Sequence, residues 1–190
     1  MRDKLRFFLA FLRHPMQVSS VIPTSQVSVR EILKKIDGSQ RRVLVEYGPG
    51  TGVVSKALLK PGKLTNDSLV ILIEKTKELA DALREELKHD PRVRVVNDSA
   101  ENVRAILQAQ GETSADYILC SIPLSIMPES VRDRILSETR ALLKPDGQFV
   151  VFLMRLKIRE FLRAHFPHVT MKIIPWNFPP LYLYVATKNS

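Results

Sequence analysis

The sequence has very little cysteine and no long apolar run, and each absence excludes a class of protein. Cys120 is the only cysteine among 190 residues, so no disulfide forms within the chain and a disulfide-stapled secreted fold is excluded. No stretch approaches the roughly 18 to 20 apolar residues of a membrane-spanning helix. The apolar run 7–12 is too short for a signal-peptide core. We therefore expect a cytoplasmic protein, soluble or peripheral on the inner face of the membrane, with no obligate protein partner.

Two common phosphate-binding motifs are also missing. The sequence has no G-x-x-x-x-G-K-[ST] loop, and Val53 stands where a dinucleotide-binding G-x-G-x-x-G would place its third glycine. His165 and His168 are spaced like metal ligands, but no cysteine or carboxylate cluster accompanies them. We predict no metal site.

Charge of one sign is in excess. The chain has 29 Lys and Arg residues against 20 Asp and Glu residues, a net charge of +9. Such an excess favours an anionic partner, whether nucleic acid, an anionic membrane surface or a phosphorylated substrate. It is equally consistent with a basic protein whose charge serves only solubility.

From residue 24 onward, short apolar runs alternate with helical patterns. The predicted strands are Val43–Val45, Leu69–Ile73, Val93–Val96, Tyr117–Ile122, Phe149–Leu153, Val169–Ile174 and Leu181–Ala186. This alternation predicts an α/β fold, a doubly wound, mostly parallel, seven-stranded Rossmann-like sheet. The last two strands are too close for a crossover helix, so they are predicted to form a C-terminal antiparallel hairpin. Residues 1–37 are predicted to form a basic amphipathic leader with a cap helix, and residues 38–190 the main domain.

Candidate ligand-binding residues follow three successive strands. Residues 46–52 read Glu-Tyr-Gly-Pro-Gly-Thr-Gly, a loop whose glycines allow close backbone approach to a ligand at a helix N-terminus. Glu74 ends the second strand, where an acidic residue can accept ribose hydroxyls. Asp98 and Ser99 follow the third, and either can also cap a helix. In doubly wound sheets these positions meet at the ligand-binding edge, so together they predict a nucleotide-type site.

At these positions the chain resembles the class I S-adenosylmethionine-dependent methyltransferases, whose E-x-G-x-G-x-G motif is matched by residues 46–52. The resemblance covers residues 41–190. It implies the class I methyltransferase fold, S-adenosylmethionine as cofactor and S-adenosylhomocysteine as product. The residues it places at the cofactor are Glu46, Tyr47, Gly48, Gly50, Thr51, Gly52, Glu74, Lys75, Asp98, Ser99, Ala100 and Cys120. Outside that range, Ser25 is expected to cap the first helix close to the cofactor.

A narrower resemblance involves both ends of the chain. Residues 11–18 and 21–25, the Cys-Ser-Ile-Pro-Leu segment at 120–124, and Trp-Asn-Phe-Pro-Pro at 176–180 are similar to segments of the short, soluble bacterial phospholipid N-methyltransferases. These enzymes have a glycine at the position that Ser121 occupies here. The resemblance implies N-methylation of the amine head group of a phospholipid or aminolipid at a membrane surface. Ser121 is then a candidate acceptor-pocket residue, and no catalytic base is identified.

Two other acceptors stay open. The phospholipid enzymes are also similar to ribosomal RNA adenine dimethylases, so RNA is one alternative and a small molecule is the other. Enzymes that methylate an exocyclic base nitrogen usually carry an aromatic residue after the proline that follows strand four. Here Leu124 follows Pro123, which argues against adenine.

The leader has two interpretations. Residues 1–13 combine four basic residues with leucine and phenylalanine, a composition typical of a helix at an anionic membrane interface. Such a helix can equally dock on the domain and close over the cofactor. Elsewhere, we expect Cys120 to be a buried strand thiol, and Trp176, Phe178, Tyr182 and Tyr184 to pack in the core and hairpin.

Overall fold

A computed structural model describes residues 24–153, 158–177 and 179–189. Its strands are β1 (Val43–Tyr47), β2 (Leu69–Ile73), β3 (Val93–Val96), β4 (Ala115–Cys120), β5 (Leu143–Leu153), β6 (His168–Ile174) and β7 (Leu181–Thr187). Its helices are α1 (Gln26–Leu33), α2 (Val53–Leu58), α3 (Lys77–Leu87), α4 (Val103–Ala109), α5 (Glu129–Leu142) and α6 (Ile158–His165), with short 3₁₀ turns at Ala100–Asn102 and Leu124–Ile126. Residues 1–23 of the predicted N-terminal unit, which was expected to span residues 1–37, and Phe178 lie outside the described residues.

The seven strands form one sheet in the order β3-β2-β1-β4-β5-β7-β6. The first five in this order are parallel, and β7 runs antiparallel to both β5 and β6. The predicted fold class is therefore confirmed, including the C-terminal antiparallel hairpin. The strand order reverses direction between β1 and β4, which is the position where sheets of this kind bind ligands.

The central strands are apolar on both faces because helices cover both sides of the sheet. Every residue of β1 and of β4 is buried. Along β4, Ile118 and Cys120 join the core cluster that includes α4 and α5. Leu119 joins the opposite cluster, with Val29 of α1 and Val54 of α2. This alternation leaves the strand ends as the place where polar side chains can gather.

Parallel pairing brings the ends of β1 to β5 to one edge of the sheet, here termed the carboxyl edge. The loop between β6 and β7 reaches the same edge, because Tyr182 of β7 pairs with Leu153, the last residue of β5. Among the described residues, no helix combines the length and the apolar character needed to cross a membrane.

Two strands, β4 and β5, differ most from their predicted limits. β4 ends at Cys120 instead of continuing to Ile122, because the chain turns there and the Leu124 amide donates to the Ile122 carbonyl at 2.8 Å. β5 begins at Leu143 and contains the predicted turn, residues 144–147, as an irregularity in the strand. Turn residues can form such a bulge as readily as a strand end.

Candidate active site

The glycine loop that follows β1 has a left-handed backbone. Gly48, Gly50 and Gly52 have φ angles of 67°, 59° and 73°, a region that side-chain-bearing residues rarely adopt. Gly48 also lacks room for a side chain, because a Cβ there would lie 2.5 Å from Cγ2 of Ile122. The loop then leads directly into α2, with Gly52 as its N-cap residue.

Glu74, the residue after β2, braces this loop. Its side chain is buried, with Oε2 accepting from the Gly50 amide at 3.1 Å and Oε1 accepting from the Thr76 amide at 2.8 Å. An ionised carboxylate can accept about four hydrogen bonds. Two bonds therefore leave Glu74 with acceptor capacity for a further donor.

The end of β3 is tied to the end of β2 by Asn97, a residue that the sequence analysis missed. Its Nδ2 donates to the carbonyls of Glu74 and Lys75 at 2.9 and 3.0 Å. Asp98 is half-buried, and its Oδ1 accepts from the Ser99 amide at 2.6 Å and from Asn102 Nδ2 at 2.8 Å. Within the described part of the chain, no hydrogen bond reaches Asp98 Oδ2. The signal that could have identified Asn97 was its polar side chain next to Asp98 at the end of a predicted strand.

The remaining predicted residues near β3 have different surroundings. The Ser99 hydroxyl accepts from the Glu101 amide at 3.4 Å and caps the 3₁₀ turn, so its predicted capping role is observed. Ala100 is buried behind it, whereas the Lys75 side chain is exposed. Thr51 is exposed on the glycine loop.

Residues after β4 brace the glycine loop from its other side. The Ser121 hydroxyl donates to the Gly48 carbonyl at 2.6 Å, and the Ser121 amide donates to the Tyr47 carbonyl at 3.2 Å. Cys120 is fully buried, and burial raises the pKa of its thiol to about 12. A thiol in that state stays protonated near neutral pH, which agrees with a packing role.

Glu46 and Tyr47 point to opposite faces of β1. Glu46 is buried and accepts a short hydrogen bond from the Ser55 hydroxyl of α2, and burial raises the pKa of its carboxyl to about 7. The Tyr47 side chain lies in the core, where its hydroxyl is 3.1 Å from Thr139 Oγ1 of α5. Only the backbone of Tyr47 therefore lies at the glycine loop.

Ser25 caps α1, and its partner comes from the other end of the chain. Ser25 Oγ accepts from the Ser28 amide at 3.1 Å. The Ser25 amide and the Ser28 hydroxyl donate to Asn177 Oδ1 at 2.9 and 3.1 Å, and Asn177 Nδ2 donates to the Pro179 carbonyl at 2.8 Å. Asn177 is 1% exposed and lies in the β6–β7 loop. The N-cap of α1 and the C-terminal segment singled out in the sequence thus meet at the carboxyl edge.

The carboxyl edge collects acidic groups in a basic protein. Glu46 lies one residue before the end of β1, Glu74 and Asp98 follow the adjacent β2 and β3, and none of the three forms an ion pair with another described residue. Carboxylates only accept hydrogen bonds, so this edge suits a ligand that carries hydroxyl or amino donors and positive charge.

Comparison with known proteins identifies the family. A family model described as a methyltransferase domain matches residues 44–147, more than half of the chain. The chain belongs to this family. It is a class I S-adenosylmethionine-dependent methyltransferase, so the predictions of the enzyme class and of the cofactor are confirmed.

Individual relatives match this methyltransferase in sequence or in structure over most of its length. The ornithine lipid N-methyltransferase of Singulisphaera acidiphila is 28% identical over 185 residues, which cover 97% of this chain and 95% of that protein. The structure of 1,6-didemethyltoxoflavin-N1-methyltransferase from Burkholderia thailandensis, with bound 1,6-didemethyltoxoflavin and S-adenosylhomocysteine, matches with a TM-score of 0.69 at 17% identity, covering 97% and 90% of the two chains. A SAM-dependent methyltransferase from Aquifex aeolicus matches with a TM-score of 0.67 at 13% identity, covering 90% and 97%.

The glycine loop gives a first prediction, on stability. Gly48→Ala and Gly111→Ala both place a Cβ on a left-handed residue, which costs about 1–2 kcal/mol. Only Gly48 adds a steric clash, since a Cβ at Gly111 meets nothing within 4 Å. We therefore expect Gly48→Ala to lower the free energy of unfolding by at least about 1 kcal/mol more than Gly111→Ala, as measured by urea denaturation. Equal losses for the two variants would show that Ile122 does not confine the loop.

The raised pKa of Glu46 predicts a pH-dependent stability in the absence of cofactor. The unfolded carboxyl loses its proton near its ordinary pKa of 4.5, whereas the folded one holds it to about 7. The folded state therefore binds more protons in this interval, and the free energy of unfolding falls as pH rises through it.

Glu46→Gln removes this titration. We expect the melting temperature of the wild-type protein relative to that of Glu46→Gln to decrease as pH rises from about 5 to about 8. Glu160→Gln, at an exposed position of α6, is the control and should keep a constant difference from wild type. A constant difference for Glu46→Gln as well would contradict the raised pKa of Glu46.

Proposed function

We propose that this methyltransferase N-methylates the amine head group of a phospholipid or aminolipid at a membrane surface. The observation that carries the proposal is the similarity to an ornithine lipid N-methyltransferase over 97% of the chain. That similarity extends well beyond residues 44–147, the range matched by the family model. It therefore includes both segments that Ser25 and Asn177 join at the carboxyl edge.

The acceptor-rich carboxyl edge fits S-adenosylmethionine, which carries ribose hydroxyls, amino groups and a positively charged sulfur. In our proposal the remaining acceptor sites of Glu74 hold the ribose hydroxyls, and Asp98 Oδ2 accepts from the adenine amino group. Gly48, Gly50 and Gly52 give the cofactor close access to the backbone, and Glu46 lies behind the loop, where it accepts a hydrogen bond from Ser55. The hydrogen bonds that already fix Glu74 and Asp98 orient both carboxylates before binding.

The cofactor supplies an electrophilic methyl group on a positively charged sulfur. The protein has to hold an acceptor nitrogen in line with that group, exclude water and receive the amine without its proton. We propose that the segment after β4 performs these tasks. Ile122 is partly buried and packs against the core that contains the fully buried Leu124, so Ile122 offers an apolar wall after β4. Such a wall disfavours the charged ammonium form and lowers the pKa of the amine.

Ser121 has a positioning role in this scheme. Its hydroxyl hydrogen is donated to the Gly48 carbonyl, so the side chain connects the acceptor side to the glycine loop instead of serving as a base. In the related phospholipid enzymes a glycine at this position would leave a space. Here the Ser121 hydroxyl fills it. The shape of the acceptor pocket beside the loop therefore depends on this residue.

The proposed role of Glu74 is testable by cofactor binding. Glu74→Ala removes both the loop brace and the acceptor for hydroxyl groups, and we expect S-adenosylmethionine to bind at least about tenfold more weakly, measured by isothermal titration calorimetry. Glu78→Gln, an exposed change on α3, is the charge-matched control. Unchanged affinity in a folded Glu74→Ala protein would remove Glu74 from the site.

The acceptor is tested directly with labelled S-adenosylmethionine. The full-length enzyme is offered liposomes containing phosphatidylethanolamine or ornithine lipid, total RNA, and a mixture of small primary amines. We expect label in the lipid and a reduced yield when residues 1–13 are deleted. Label in RNA alone, in the small amines alone, or in none of the substrates would contradict the lipid proposal.

A further inference from the structure

The exposed large hydrophobic residues are confined to one part of the fold. Within residues 24–153, 158–177 and 179–189 they are Val27 (39% exposed), Val53 (36%), Ile126 (52%), Ile173 (48%) and Trp176 (79%). We term these five residues the apolar rim. Isolated exposed hydrophobic residues are normal on a protein surface, whereas a group of them in one region is a candidate interaction surface.

Each member of the apolar rim is placed at the carboxyl edge by the topology. Val53 is the first residue of α2, directly after the glycine loop, and Ile126 lies in the 3₁₀ turn that follows β4. Trp176 lies in the β6–β7 loop, and Ile173 pairs with Tyr182 one position before the last pair of that hairpin. Val27 lies in the first turn of α1, next to the cap that Asn177 holds.

The prediction that Trp176 packs in the core or hairpin is wrong, and the contacts of the neighbouring Asn177 explain why Trp176 stays exposed. Asn177 is 1% exposed and is fixed by hydrogen bonds to Ser25, Ser28 and Pro179. The loop backbone is thus anchored at the residue after Trp176, while the indole ring itself is 79% exposed. Tyr184, in contrast, is fully buried, as predicted. A large ring held outward on an anchored turn is suited to contact with another surface.

We propose that the apolar rim is the surface by which the enzyme docks on an anionic lipid bilayer, with the carboxyl edge facing the head groups. This inference rests on the proposed lipid function. Tryptophan favours the membrane–water interface because its ring is amphipathic. With the rim in that interface, an amine head group reaches the site after β4 without leaving the membrane.

The acidic side chains Glu46 and Glu74 at this edge are buried, and basic residues near the rim can supply attraction to an anionic surface. The described chain begins at Thr24 beside the rim, and the 23 residues before it contain four basic residues and one acidic residue. Arg159 is exposed in the first turn of α6, which follows the end of β5 at the same edge. The whole chain carries a net charge of +9. Basic residues attract anionic lipids while the apolar residues enter the interface, and the two effects add.

The single tryptophan of the chain makes the proposal directly measurable. In the full-length protein without lipid, we expect Trp176 to emit as an exposed indole and to be strongly quenched by acrylamide. Vesicles of phosphatidylethanolamine and phosphatidylglycerol should shift the emission to shorter wavelength and protect it from quenching. No shift with these vesicles would overturn the proposal. Protection already present in the lipid-free protein would also overturn it, because the rim would then be covered by the chain itself or by a second copy.

Variants that keep the tryptophan reporter test the rest of the surface. Ile126→Ser should weaken vesicle partitioning about threefold or more, because it removes an apolar side chain from the interface. Arg159→Gln should weaken it about fivefold. Arg140→Gln, near the C-terminal end of α5 and so at the opposite edge of the sheet, changes the net charge equally and should leave partitioning unchanged. Equal effects of the two arginine changes would show attraction by net charge without the proposed orientation.

A further variant separates docking from the lipid function itself. Trp176→Ser should lower methylation of lipid in vesicles but leave methylation of the same lipid in detergent micelles unchanged. Vesicle methylation at the wild-type rate would overturn docking through the rim while leaving the lipid function intact. Docking without methylation of lipid in either form would contradict the proposed function instead.

Discussion

The organisation of the carboxyl edge depends on one backbone constraint, which is that the chain leaves β1 with positive φ angles at Gly48, Gly50 and Gly52. This path brings the Gly50 amide to Glu74 beside β2 and the Gly48 carbonyl to Ser121 beside β4. The loop is therefore braced from both neighbouring strands. A side chain at Gly48 would meet Ile122, so the segment after β4 and the loop limit each other's position. Movement on the acceptor side is thereby coupled to the loop.

Electrostatics give the same edge its chemical character. The protein has an excess of nine positive charges, yet Glu46, Glu74 and Asp98 lie at or near the ends of adjacent strands and form no ion pair with other described residues. Backbone amides and neutral side chains stabilise these carboxylates without neutralising them. Glu74 and Asp98 therefore keep acceptor sites at this edge, whereas burial raises the pKa of Glu46 because a charged carboxylate is costly in a desolvated position.

The sequence was sufficient for the fold because strand-helix alternation and connection length constrain topology strongly. The same rule located Glu74 and Asp98, since parallel strands must end at one edge. The direction of Tyr47 was also accessible, because Val43, Val45 and Tyr47 follow the period of two that places them in one core cluster. Asn177 and Trp176 were different. The partner of Asn177 lies 152 residues away, and the exposure of Trp176 follows from that contact, so no local pattern contains either fact.

This distribution of information bears on where acceptor specificity resides. The methyltransferases that share the fold include one that acts on 1,6-didemethyltoxoflavin, so the sheet does not itself select the acceptor. Selection must come from elements that the carboxyl edge adds to the sheet. In this chain the carboxyl edge carries the segment after β4, the β6–β7 loop and the N-cap of α1, which Asn177 joins to that loop. Because the hydrogen bonds of Asn177 connect two of the three, a change in one alters the position of the other. Resemblance that extends to both ends of a methyltransferase is therefore more informative about its acceptor than resemblance in the glycine loop.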